Sequence, residues 1–220
     1  MSSIFDIIGP IMIGPSSSHT AGAARLARMA RCIFEGMPDE VEMTLYGSFA
    51  KTYKGHGTDK ALIAGLLGYT EDDAHLRRAY DLAKEHGMKY TFIESNKDAG
   101  HPNVVTFDMR DKAGRHMSVT GRSLGGGRIL VTDIDGVDVG ISGDEFTMVV
   151  PHIDRPGAVS KVTKIIGEGN INISGMQLFR KIKNEDAVMV IKTDSTVGDD
   201  LVEAIRELPC VQDVMTFPKL

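Results

Sequence analysis

Two segments near the N-terminus combine histidine with side chains that can hold an anionic ligand. In the first, a histidine and several hydroxyl residues stand directly before a helical pattern: Ser16, Ser17, Ser18, His19 and Thr20. Hydroxyls and free backbone N–H groups at a helix start can bind a carboxylate or a phosphate, and a histidine among them can transfer protons near neutral pH. One Ser or Thr is enough to cap a helix, so capping alone is the alternative interpretation of this cluster.

The second segment, residues 47–60, places His56 between two glycines and carries Lys51 and Lys54. Glycine lets a backbone come close to a ligand, and the two lysines add positive charge that suits an anionic substrate. The polar, glycine-punctuated part, residues 48–59, is predicted to be a loop. A solvated loop without a ligand is the alternative interpretation.

Two shorter motifs also contain glycine. In the segment 100–103, His101 and Asn103 can hydrogen-bond a zwitterion or simply shape a turn before a strand. The glycines at 125–127 lack both the Lys-Ser/Thr ending of a phosphate-binding loop and the dinucleotide spacing. They are predicted to form a tight turn or bulge that lets two backbones approach.

The elements that must position these residues are predicted from periodicity. Apolar side chains at helical spacing follow Thr20, and alternation with a period of two marks strands further on. Helices are also predicted at 61–67 and about 72–86, and strands near 41–45, 90–92, 105–107, 117–119 and 129–131. The first domain, residues 1–142, is therefore expected to be α+β, with helices early and a meander late.

The second domain, residues 143–220, has a regular succession of patterns. Its strands are predicted at 146–150, 171–180, 187–191 and 211–217, with helices near 159–166 and 199–208 and a turn at 183–185. The order βαββαβ predicts a ferredoxin-like sandwich.

Composition narrows the class of protein. A net charge of −5 argues against a nucleic-acid surface, and no apolar run approaches the roughly 20 residues of a membrane helix. The N-terminus does not resemble a signal peptide. The chain has two cysteines, which fits a reducing, cytoplasmic location, and no His, Asp or Glu set shows zinc spacing. We expect no metal site in this chain.

The second domain resembles the ACT family of amino-acid-binding regulatory domains. The resemblance is carried by Asp154-Arg155-Pro156-Gly157 before the first helix and by Asn170-Ile171-Asn172-Ile173 before the second strand. It implies side-by-side self-association and an effector bound near the start of that helix, with Asp154 and Gly157 as candidate contacts. A domain that only dimerises is the alternative.

The motifs of the first domain, together with the ACT-like domain, resemble the β chain of bacterial iron–sulfur L-serine dehydratases. The resemblance covers nearly the full length through residues 14–20, 47–60, 100–103 and 125–127. It implies that L-serine loses its α-proton to a base and its β-hydroxyl to a Lewis-acid iron, giving pyruvate and ammonia. It also implies a [4Fe-4S] cluster held by a partner α subunit and a role in amino-acid degradation and gluconeogenesis.

The same resemblance implies roles for individual residues. His19 and His56 would serve as base or polarising partner. Substrate binding is expected from Ser16, Ser17, Ser18, Thr20, Lys51 and Lys54, and a separate effector site from His101 and Asn103.

Two other function classes are considered. A non-catalytic, amino-acid-responsive regulatory protein would keep the ACT-like domain, but it does not need histidines in two glycine-rich segments. A serine hydrolase is disfavoured because no Gly-x-Ser-x-Gly surrounds the serine cluster.

Overall fold

A computed structural model describes residues 11–180 and 185–220 of the chain. The chain divides into two compact units, the first ending at Gly136 and the second comprising Val137–Leu220. The boundary predicted from the sequence, between 142 and 143, lies six residues further along the chain. The first ten residues and most of the turn expected at 183–185 lie outside the described residues.

The first unit alternates helices and strands before it ends in antiparallel strands. Its helices are α1 (Gly22–Ile33), α2 (Gly47–His56), α3 (Thr58–Leu67) and α4 (Ala79–Glu85), and its strands are β1 (Glu40–Tyr46), β2 (Lys89–Ser95), β3 (Asn103–Arg110), β4 (His116–Gly125) and β5 (Arg128–Ile134). A π-helical turn, Ser17–Ala21, leads into α1, and a 3₁₀ turn, Ala74–Arg78, leads into α4.

The sheet of this unit has the strand order β2-β1-β3-β4-β5. Strand β1 runs parallel to β2 and antiparallel to β3, and β3, β4 and β5 follow one another antiparallel. Val41, Met43 and Leu45 of β1 are buried while the residues between them are more exposed, as a period of two requires. The α+β prediction and the late meander are confirmed.

Helices α1 and α3 lie side by side and run in the same direction. Near their starts, the Thr20 hydroxyl donates to the His56 carbonyl, and near their ends Arg31 donates to the Leu66 carbonyl. Between these points a Cβ on Gly65 would lie 2.3 Å from the Ala24 carbonyl oxygen. The missing side chain at Gly65 therefore permits the close approach of the two helices.

The loop predicted at 48–59 is wrong, because this stretch forms helix α2. Phe49, Ala50 and Tyr53 give the helix a buried face. Gly47 and Gly57 have φ of +58° and +71° and bound the helix on either side, so these glycines end a regular element instead of marking a loop. The helix predicted over 72–86 is also shorter than expected, because its beginning is the 3₁₀ turn.

The second unit contains a sheet covered by helices. After β6 (Val137–Ile141) come β7 (Phe146–Ile153), α5 (Ala158–Glu168), β8 (Ile173–Arg180), β9 (Asp186–Thr193), α6 (Asp199–Arg206) and β10 (Met215–Phe217). The antiparallel order β10-β7-β9-β8 confirms the ferredoxin-like prediction. The last strand is shorter than the predicted 211–217.

The core of this sandwich follows from the helical and strand periods. Apolar side chains of β7 and β9 face those of α5 and α6, among them Met148, Met189, Val162 and Ile205. Within the described part of the chain, every helix is too short or too polar to cross a membrane.

Replacing Gly65 with alanine tests the helix packing. Because the new methyl group would meet the Ala24 carbonyl and the Ala27 side chain, we expect Gly65→Ala to lower the free energy of unfolding by about 1–3 kcal/mol. The control is Gly55→Ala in α2, where an added Cβ meets nothing within 4 Å; it should raise stability by about 0.5 kcal/mol. Urea unfolding measures both, and equal effects would contradict the packing.

Candidate functional site

The serine-rich segment forms the π-helical turn that leads into α1. Ser16 has extended backbone angles and its side chain accepts a hydrogen bond from the His19 N–H, 3.1 Å away, which is a helix cap. Ser18 Oγ lies 3.1 Å from Nδ1 of His19, and Ser16 Oγ lies 3.4 Å from the same nitrogen. The cluster therefore caps the turn and also contacts the imidazole ring. Isolated π-turns are frequently found at functional sites.

The His19 ring is held from both sides. Its Nε2 lies 3.0 Å from the hydroxyl of Ser48, the second residue of α2. Only 9% of His19 is exposed, and a buried ring nitrogen needs a hydrogen-bond partner. Because a hydroxyl can donate or accept, these contacts are compatible with either neutral tautomer of the ring.

His56 brings the second motif against the first. It ends helix α2 and is exposed, and its ring centroid lies 4.8 Å from that of His19 with the rings nearly perpendicular, at 82°. The Phe49 ring packs edge-to-face with the His19 ring, with the ring centroids 5.3 Å apart. The structure thus places the two predicted catalytic histidines in direct contact.

Burial controls the charge of His19. Loss of solvent is the larger cause, and the nearby His56 the smaller one, of a pKa of His19 that lies below the usual histidine value. The ring is therefore mainly neutral at neutral pH and able to accept a proton. Since the folded chain binds this proton less readily than the unfolded chain, His19 favours folding above the ordinary histidine pKa and loses that contribution as pH falls.

The third motif supports the start of α2. The Pro102 carbonyl accepts hydrogen bonds from the N–H groups of Ser48 and Phe49, at 2.6 and 3.2 Å. Gly47 has φ +58°, and a Cβ there would lie 2.7 Å from the Pro102 carbonyl oxygen, so only glycine fits. Pro102 thereby fixes Ser48, whose hydroxyl contacts His19.

His101 and Asn103 flank that proline. His101 Nδ1 accepts from the Asn103 N–H at 3.2 Å, so the pair shapes a turn, as one interpretation of the sequence had it. Burial, followed by the charge of Arg122, lowers the pKa of His101. Asn103 Oδ1 is buried without a hydrogen-bond partner among the described residues, and an effector role for this pair stays a prediction.

The serine turn also has contacts from distant parts of the chain, which local sequence patterns do not predict. Gly126 N–H donates to Ser17 Oγ at 3.3 Å, and Arg25 donates to the Gly127 carbonyl at 3.1 Å. The glycines at 125–127 all have positive φ, so the triplet forms the tight turn that was predicted. The run of three glycines predicts a turn, but it does not predict that this turn contacts the serine cluster.

Asp59 is a further residue near the site whose role the sequence does not predict. It is buried in the first turn of α3, where it accepts hydrogen bonds from the Tyr80 hydroxyl and, at 2.8 Å, from the Lys60 N–H. Burial and this carboxylate raise the pKa of Tyr80. The pair anchors the start of α3, directly after His56.

The remaining predicted residues lie elsewhere. Lys51 and Lys54 are exposed on α2, and the Lys54 Nζ lies 5.4 Å from the centre of the Tyr53 ring. In the second unit, Asp154 forms an ion pair with Arg180 at 3.1 Å, and Gly157 has φ +87° at the start of α5. These roles stay predictions.

The cysteines of the chain do not fit an iron–sulfur cluster. Cys32 is partly buried in the first unit, and Cys210 is buried in the second. A [4Fe-4S] cluster is normally held by several thiolates, whereas the sequence has two cysteines in all. Among residues 11–180 and 185–220, no group of three His, Cys, Asp or Glu side chains is arranged to hold a metal ion.

Known proteins share this organisation. The family described as serine dehydratase beta chain matches residues 3–90, and the ACT domain matches residues 147–210. The chain is similar to a probable L-serine dehydratase beta chain of Bacillus subtilis (39% identity, 96% of both chains) and to an L-serine dehydratase beta chain of Peptoniphilus asaccharolyticus (35%, 92% of both). A Streptomyces coelicolor L-serine dehydratase is 30% identical over 97% of this chain and 50% of its own length.

Two conclusions follow from these matches. The second unit carries an ACT domain, as its motifs indicated. The chain belongs to the serine dehydratase beta chain family, which confirms the resemblance inferred from the sequence.

The electrostatics of the histidine pair can be tested by titration. Because burial is the larger cause of the lowered pKa and His56 the smaller, His56→Ala should move the pKa of His19 upward while leaving it below the free-histidine value. The pKa of His19 is measured from imidazole ¹H–¹⁵N spectra recorded between about pH 5 and pH 8. His86→Ala, at an exposed position after α4, is the control and should change nothing. A His19 pKa at or above that of free histidine would contradict the burial argument.

Proposed function

We propose that this chain is the β subunit of a two-chain L-serine dehydratase (L-serine ammonia-lyase), which converts L-serine to pyruvate and ammonia. The observation that carries the proposal is the buried His19 ring, held by hydroxyls of two separate motifs and in contact with His56. Membership in the serine dehydratase beta chain family supports it.

His19 is the proposed base of the reaction. Its lowered pKa keeps the imidazole neutral, so it can take the α-proton of L-serine at neutral pH. The electron pair of the broken Cα–H bond then forms the Cα=Cβ bond as the β-hydroxyl leaves. The resulting aminoacrylate tautomerises to an imine, and water releases ammonia from it to give pyruvate.

The substrate must replace one of the existing contacts of His19. Ser16 caps the turn, Ser17 accepts from Gly126, and Thr20 donates to the His56 carbonyl. Among residues 11–180 and 185–220, the Ser18 hydroxyl, in contrast, makes hydrogen bonds only with the side chains of Ser16 and His19. Among the four hydroxyls that we assign to substrate binding, Ser18 can therefore exchange its partners at the lowest cost.

The [4Fe-4S] cluster is assigned to a partner α subunit. The two cysteines of this chain lie in different compact units and cannot supply its ligands. This chain spans half the length of the Streptomyces relative. The other half of that polypeptide is long enough to contain a second component. The chain's own part is then to bind L-serine and move its α-proton, while loss of the hydroxyl is left to the partner.

The ACT domain is proposed to regulate the enzyme. Self-association through this domain and binding of an amino acid near Asp154 and Gly157 are the roles that we assign to it. We place the enzyme in the cytoplasm, where it would serve amino-acid degradation and gluconeogenesis.

Reconstitution tests the proposal. The chain is co-expressed with a cysteine-bearing candidate α chain, and pyruvate formation from L-serine is measured without oxygen. His19→Ala should lower kcat by about 10²–10⁴-fold, since a positioned acid–base group contributes that much, and His56→Ala should cause a smaller loss.

Controls make the result specific. His86→Ala should leave turnover unchanged, because this exposed residue lies outside the site. Pyruvate formed by this chain alone would refute the two-chain assignment. Unchanged turnover in His19→Ala would remove His19 as the base, and failure to bind any cysteine-bearing partner would favour a regulatory protein instead.

A further inference from the structure

A pocket of about 400 Å³ opens beside the histidine pair, on the side of His56. It is lined by residues before the serine turn, by the end of α2, by the first turn of α3 and by the 3₁₀ turn. The lining residues that matter for its chemistry are Thr20, Lys54, His56, Lys60 and Arg77. Two of these lining residues are neighbours of His19: the His56 ring contacts the His19 ring, and Thr20 is the next residue in the chain. The pocket therefore adjoins His19, the proposed base.

The charged side chains that line this pocket are all positive. Lys54, Lys60 and Arg77 line it, and none of the described residues that line it is acidic. This contrasts with the whole chain, in which acidic residues outnumber basic ones by 30 to 25. A concave surface with one sign of charge concentrates ions of the opposite sign.

The three cations also lack ion-pair partners within residues 11–180 and 185–220. Neighbouring charged side chains, in contrast, do have partners of opposite charge. Arg78, next to Arg77, pairs with Glu85 at 3.2 Å, and His75 pairs with Asp73 at 2.6 Å. These carboxylates are therefore paired outside the pocket, and the cations of the pocket remain available to a ligand.

We propose that Lys60 and Arg77, together with Lys54, bind the carboxylate of a small ligand in this pocket. The assignment of that ligand as the substrate or product of the neighbouring histidines rests on the proposed function. When an α-proton leaves an amino acid, negative charge spreads onto its carboxylate. Cations fixed at the carboxylate then stabilise the transition state more than the ground state, so Lys60 and Arg77 would assist His19.

The first arm of the test uses the full chain alone with sodium pyruvate as the probe. Amide shifts of Gly55 and Gly57, which line the pocket, report binding. Lys60→Gln and Arg77→Gln should each raise the dissociation constant about threefold and the double variant about tenfold, as expected for solvent-exposed charges. Added salt should weaken binding in the same direction.

A matched control and a clear negative result complete this arm. Lys84→Gln removes an exposed lysine of α4 that lies outside the pocket, and it should leave pyruvate binding unchanged. The proposal is overturned if pyruvate causes no shift at these glycines, or if the Lys60 and Arg77 variants bind it as the unaltered chain does.

The second arm separates a free carboxylate from an acidic side chain of a partner subunit. In the reconstituted enzyme, the double variant should raise KM for L-serine and lower kcat/KM while the affinity between the two chains stays the same. A loss of chain–chain affinity with unchanged KM would overturn the proposal and assign the pocket to the partner. If no dehydratase forms at all, the proposed function fails, whereas pyruvate binding to the chain alone still decides this inference.

Discussion

The close parallel packing of α1 and α3 is the constraint on which the site depends. Both helices begin at a functional motif, so aligning their starts brings the serine turn against the end of α2. The approach is possible because Gly65 presents no side chain to the Ala24 carbonyl. The hydrogen bond from Thr20 to the His56 carbonyl closes the contact at one end, and Arg31 bonded to Leu66 closes it at the other. A shift of one helix along the other would separate the two histidines.

The burial of His19 gives this packing a chemical consequence. A buried imidazole is most stable when it is neutral and both of its nitrogens are hydrogen-bonded. Ser18 serves one nitrogen and Ser48 the other, and Ser48 is itself fixed by the Pro102 carbonyl. Three motifs that are far apart in sequence thus cooperate to hold one neutral ring, while the exposed His56 connects it to the cationic pocket.

Much of this architecture could be predicted from local patterns. The period-two strands and the amphipathic helix α1 follow directly from apolar spacing, and so does the βαββαβ order of the second unit. The failure at 48–59 has a physical reason: Gly57 has a left-handed conformation that ends α2, and Gly55 lies inside the helix, so neither glycine marks a loop. A helix with only Phe49, Ala50 and Tyr53 buried leaves a weak periodic signal.

The site was less accessible to sequence reasoning than the fold. Residue type alone pointed to His19 and His56, and the family resemblance assigned their chemistry. Ser48 and Gly126 could not be found in this way, because their contacts with the serine turn join residues 29 and 109 positions apart. Lys60 and Arg77 likewise become neighbours only when α3 packs against the 3₁₀ turn.

The contact between the two histidine rings is the most direct test of this account. It can be measured as nuclear Overhauser effects between the ring protons of His19 and His56 in the full chain at neutral pH. With ring centroids 4.8 Å apart, cross-peaks between the two rings are predicted. Their absence, with each ring showing cross-peaks only to its own segment, would contradict the convergence of the motifs.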